Sequence, residues 1–97
     1  MKTLADFKRR LTIGTKLTYE FHRSTTIVGN LGNTVIPASG LQARVVSRLQ
    51  SNGVWFMRAD GKESWLDWPK AKDLIFVDDN TVTVCLDGVP SFTYKFL

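Results

Sequence analysis

Turn-forming dipeptides recur along this chain at intervals of roughly ten residues, and the apolar side chains between them alternate with polar ones. Leu17, Tyr19 and Phe21 alternate with Thr18, Glu20 and His22, the period of a strand with one buried face. Asn52-Gly53 separates the strand-like runs 41–51 and 54–59, and Asn-Gly supplies the positive φ angles of a type I′ turn. A second turn is expected at Asp60-Gly61 ahead of a strand over 63–68, which Trp68-Pro69 ends before one helical turn at 70–72. Runs 74–77 and 81–86 flank Asp78-Asp79-Asn80, and Asp87-Gly88-Val89-Pro90 leads into a last strand over 91–96.

Only the first residues depart from this period. Leu4, Phe7 and Leu11 recur at helical spacing, with Thr3 as N-cap, Asp6 as the carboxylate of a capping box and Gly14 as the stop. A helix is therefore expected over 3–12 and a β-meander over 16–96. Residues 24–40 hold Gly29, Asn30, Gly32, Asn33, Pro37 and Gly40 around two β-branched runs, 25–28 and 34–36, and read as a small hairpin or a loop. With 97 residues, 43% of them apolar, residues 1–97 suit one domain with its own core. The expected fold is mainly β with one N-terminal α-helix, a small SH3-like or otherwise curled antiparallel β-barrel.

A two-residue turn at Asn52-Gly53 sets Gln50 opposite Trp55, Leu49 opposite Phe56 and Arg48 opposite Met57. One face then carries Val45, Leu49, Val54 and Phe56, the expected interior. If Asp60-Gly61 is also a two-residue turn, Trp65 meets Phe56 there and Glu63 meets Arg58. The other face gathers Arg44, Val46, Arg48 and Gln50 beside Trp55, Met57 and Leu66. Cations next to a large aromatic can stack a planar group while the guanidiniums hold phosphate or carboxylate. In the competing reading the helix covers Trp55, Met57 and Leu66, and Arg44 and Arg48 merely reach past it to water.

Charge divides along the chain: residues 1–58 carry nine basic side chains against two acidic, and residues 59–97 carry four against seven. Lys8, Arg9 and Arg10 are consecutive on the expected helix, either a solvated face near its C-terminal end or part of a phosphate-binding surface. No catalytic constellation converges. His22 and Cys85 need not meet, Asp78-Asp79-Asn80 is turn chemistry without the further ligands of a calcium loop, and the glycines near Gly29 lack the lysine of a phosphate loop. The expectation is a non-enzyme with no cofactor and no metal. One cysteine and no long apolar run predict a cytoplasmic protein without membrane contact.

The segments Leu4-Ala5-Asp6-Phe7-Lys8-Arg9-Arg10-Leu11, Gly14-Thr15-Lys16-Leu17 and Ser64-Trp65-Leu66-Asp67-Trp68-Pro69-Lys70-Ala71 resemble small uncharacterised proteins of phages and prophages in Gram-positive bacteria. The resemblance covers the two ends of the domain and leaves 24–40 unmatched. It implies a small non-enzymatic protein of the host cytoplasm that binds host or phage machinery, a class that includes anti-CRISPR inhibitors. The expected partner is a host protein, met through Arg44, Arg48, Trp55 and Met57 with Lys8, Arg9 and Arg10. Direct nucleic-acid binding by a small barrel and an assembly role with self-association are the alternatives.

Overall fold

The computed structural model describes residues 1–22, 25–29, 32–36 and 40–97, the two short middle segments as backbone alone. The chain opens with α1 (Leu4–Arg10), and its capping box forms as the sequence implies. The Thr3 side chain accepts from the Asp6 amide, and the Asp6 carboxylate accepts from the Thr3 amide. Phe7 is fully buried and Leu11, the C-cap, nearly so.

Among the described residues nine strands follow: β1 (Lys16–Phe21), β2 (Thr25–Gly29), β3 (Gly32–Ile36), β4 (Gln42–Gln50), β5 (Gly53–Arg58), β6 (Glu63–Asp67), β7 (Leu74–Asp78), β8 (Thr81–Leu86) and β9 (Val89–Phe96). β2 and β3 pair as the small hairpin that their β-branched runs suggest. The other seven form one antiparallel sheet in the order β6-β5-β4-β1-β9-β8-β7.

Strands β6 and β7 are consecutive in sequence yet lie at opposite edges, and this dictates the sheet's form. Six inter-strand spacings would set the edges of a flat sheet roughly 29 Å apart. The seven Cα steps from Asp67 to Leu74 reach at most about 25 Å when fully extended, and part of that path is a compact 3-10 turn at Ala71–Asp73. The sheet must curl. It does not close into the expected SH3-like barrel, because among the described residues no ladder joins β6 to β7.

The curl gathers Phe7 and Leu11 with Leu17, Val46, Val54, Phe56, Leu66 and Val82 into one core. Tyr94 is its hub, with ring centroids of Phe56 at 5.2 Å, Tyr19 at 5.4 Å, Phe92 at 5.7 Å and Phe7 at 6.2 Å. Burial pushes its hydroxyl well above the usual range. No helix of the described residues is long and apolar enough to cross a membrane.

The pairing of β4, β5 and β6 corrects the sequence reading in two places. The β4–β5 ladder closes with Gln50 opposite Gly53, so Ser51 and Asn52 are the turn residues, and neither they nor Gly53 adopts a positive φ. A bulge then falls at Ser47: Arg48 pairs with Trp55, but Val46 pairs with Phe56. Beyond it Val46 is buried beside Phe56, where Val45 was expected, and Leu49 is 44% exposed. The next connection is one residue longer than expected. Arg58 bonds Lys62 across a three-residue loop, with the Gly61 amide donating to the Arg58 carbonyl at 3.1 Å and Gly61 at φ +84. That extra residue exchanges the faces of β6, so Leu66 enters the core opposite Val54 and Trp65 stands outside opposite Trp55. A true type I′ turn is found at Asp87-Gly88, with φ values of +52 and +78, and it lengthens the last strand back to Val89.

Gly53 serves a different purpose from the one its sequence context suggests. A Cβ there would lie 2.3 Å from the Leu66 carbonyl oxygen and 2.5 Å from the Trp65 ring, which lies over the glycine backbone. Gly53→Ala is expected to cost about 2 kcal/mol or more, as overpacking does. Gly40→Ala, with open space around it and no positive φ, should be neutral or slightly stabilising. Urea unfolding midpoints of the two variants check this, and equal midpoints would sink the steric account.

Candidate functional site

The bulge and the longer loop determine which side chains meet. On the outer face, Arg48, Trp55 and Trp65 form a row across β4, β5 and β6. The Arg48 guanidinium stacks 4.7 Å from the Trp55 ring centroid, and the two indoles meet at 5.1 Å with 50° between their planes. Met57 extends the row at 37% exposure. The helix does not cover it: Phe7 and Leu11 pack into the core on the opposite face with Val54, Phe56 and Leu66.

This row is braced by its own hydrogen bonds. Arg48 grips Glu63 with two parallel bonds, Nε to Oε2 and Nη2 to Oε1, each 3.1 Å. The Ser47 hydroxyl donates to Glu63 Oε2 at 2.7 Å and also reaches the Trp55 carbonyl at 3.2 Å. The Ser47 hydrogen bond, then Arg48, hold the Glu63 carboxyl below its ordinary range. Arg58, the partner expected for Glu63, instead pairs with Asp60 at 2.8 Å. Trp65 Nε1 donates to Asp67 at 2.8 Å, whereas Trp55 Nε1 is shielded from solvent with no acceptor among the described residues.

Arg44 does not belong to this row. The bulge turns it to the core side of the sheet, in step with Val46, where it is only 7% exposed. Its guanidinium lies 4.9 Å from the Tyr19 ring centroid and donates to the Gln42 side chain at 2.8 Å and the Ala43 carbonyl at 3.0 Å. Unbroken alternation along β4 would group Arg44 with Arg48, and the bulge separates them. The adjacent apolar pair Val45-Val46 departs from simple alternation, but nothing in it places the break at Ser47.

The three basic residues of α1 go separate ways. Arg9 pairs with Asp6, Arg10 donates to the Asp79 carbonyl and the Asn80 side chain and stacks on Phe96, and Lys8 lies 4.9 Å from the Trp68 ring centroid. Each is held by its own neighbours, and Arg9 and Arg10 also line, with Met1, Lys2 and Asp6, a cleft of about 400 Å³ that Lys8 does not join. His22 Nε2 lies 3.0 Å from the Thr93 hydroxyl, its partner in place of the Cys85 thiol. The Asn80 amide donates to Asp78, an Asx turn that holds the Asp78 carboxyl low.

No protein-family model, curated protein or solved structure matches this chain.

Two outcomes are expected from this geometry. Because Glu63 is held low when folded, its bonds contribute above the unfolded-state pKa and are lost as pH falls through the folded one. In an NMR titration, Ser47→Ala should move the Glu63 pKa back up towards 4.5, and an unmoved value would show that the hydroxyl is not its main support. Trp55→Phe keeps a ring between Arg48 and Trp65 and removes the N–H that lacks an acceptor. It should leave stability within about 1 kcal/mol of wild type, whereas an N–H with a hidden partner would make the loss larger.

Proposed function

We propose that this chain is a small non-enzymatic binding protein of phage or mobile-element type that engages a host protein through the outer face of β4, β5 and β6. The observation that carries the reading is the outer row of exposed Arg48 and half-buried Trp55 and Trp65, with exposed Met57 beside it, which the helix leaves uncovered. Tryptophan, methionine and arginine are the side chains enriched where proteins meet, since they bury much area and pair a flat apolar surface with a fixed donor fork.

The same row weighs against direct nucleic-acid binding at this face. Arg48 already covers one face of Trp55 and is neutralised by a bidentate carboxylate. Stacking a base there and holding its phosphate would require both contacts to be given up. A protein surface can dock on the row as it stands. The resemblance to phage and prophage proteins implies a partner in host or phage machinery, which we take to be a host nucleic-acid-handling or defence complex, with an anti-CRISPR-like inhibitor as one form.

A pull-down from host lysate with the tagged protein tests this, with and without nuclease, beside the variant Arg48→Ala/Met57→Glu. Both side chains are exposed, so near-ultraviolet circular dichroism should show an unchanged fold. A protein captured after nuclease treatment by wild type and lost by the variant is the expected result. Capture retained by the variant removes this face from the function, and capture abolished by nuclease favours the nucleic-acid reading.

A further inference from the structure

On the core side of the sheet, where β4 begins and β5 ends, a cleft of about 400 Å³ is lined by Leu41, Gln42, Arg44, Arg58, Ala59 and Asp60, with Ala43. Arg44 and Arg58 are directly opposed across the ladder, an arrangement that like charges disfavour. Arg44 is nearly buried and has no carboxylate within ion-pair distance among the described residues. Residues 23–39 contain no acidic side chain to supply one. Desolvation, then the charge of Arg58, depress the Arg44 pKa, and the nearby Tyr19, Tyr94 and Asp60 offset them only in part. Two acceptors, Gln42 Oε1 and the Ala43 carbonyl, hold a fork that carries five N–H donors. Tyr19 beneath fixes its plane.

We propose that the cleft between Arg44 and Arg58 binds a carboxylate whose adjoining group is apolar. Arg44, Arg58 and the Arg58-paired Asp60 sum to a single positive charge, which one carboxylate neutralises and a phosphate dianion would overrun. A planar carboxylate matches a guanidinium fork in two parallel bonds. Leu41, 71% exposed at the cleft, offers apolar surface to the group that carries the carboxylate. The site is separate from the outer row, being on the opposite face of the same strands.

The test is an NMR titration of the arginine Nε–Hε signals with N-acetyl-leucine, its neutral amide and inorganic phosphate as probes. Saturable shifts of Arg44 and Arg58 with N-acetyl-leucine, absent with the amide, are the expected result. Arg58→Gln should weaken binding about 10-fold, the loss of one charge-assisted bond. Asp60→Asn should tighten it several-fold by removing the competing carboxylate, a gain that a merely structural Arg44 would not produce. No saturation by N-acetyl-leucine, equal shifts with the amide, or saturation by phosphate alone would each overturn the proposal. Arg58 and Asp60 are substantially exposed, so both variants keep it testable should Arg44→Gln fail to fold.

Discussion

The extra residue at Ser47 is the constraint on which the functional surface depends. Side chains of a strand alternate between faces, so one inserted residue exchanges the faces of everything beyond it. Before the bulge, Arg44 and Val46 look into the curl; after it, Arg48 looks out with Trp55. The side chain that creates the exchange also secures it. Ser47 bonds the Trp55 carbonyl across the irregularity and the Glu63 carboxylate that grips Arg48. Local backbone geometry and the outer ion pair are therefore one device.

The three-residue loop after β5 completes the sorting. It places Leu66 in the core and leaves Trp65 outside, where the ring needs room that only a glycine at position 53 leaves. Trp65 in turn flanks Trp55, whose other neighbour is Arg48. The core would accept either Leu66 or Trp65 on hydrophobicity alone. Loop length decides between them, and so decides whether the outer face presents one indole or two.

The elements of this fold were legible in the sequence because each carries a local chemical signature. Thr3 and Asp6 announce the cap, β-branched runs announce β2 and β3, Asp87-Gly88 supplies its positive φ angles, and Trp68-Pro69 ends β6. Sidedness was not legible, because it depends on counts of residues rather than their types. Ser47 has nothing in its identity that marks a bulge, and Asp60-Gly61 suits a two-residue or a three-residue loop equally. Asn52-Gly53 misled for a physical reason: the glycine answers a steric demand from Trp65, and no residue of that turn needs a positive φ. These errors moved Arg44 to the wrong face and gave Glu63 to the wrong arginine. Arg48, Trp55 and Met57 kept their common face.

The division of charge along the chain takes on a different meaning once the chain is folded. Acidic residues of the second part supply partners to the first: Glu63 to Arg48, Asp60 to Arg58, and Asp79 to the N-terminal ammonium. Arg10 is likewise held by the Asp79 carbonyl and Asn80. The excess of basic residues before residue 59 is thus partly cancelled in space, on the outer face and around the helix alike. Arg44 escapes that cancellation because it lies on the face where the neighbouring acid, Asp60, is paired with Arg58, and no described carboxylate comes within ion-pair distance of its own guanidinium. The cleft at the start of β4 and the end of β5 leaves that unbalanced charge beside solvent at the end of the sheet's inner face, with Arg58 and Asp60 at its rim.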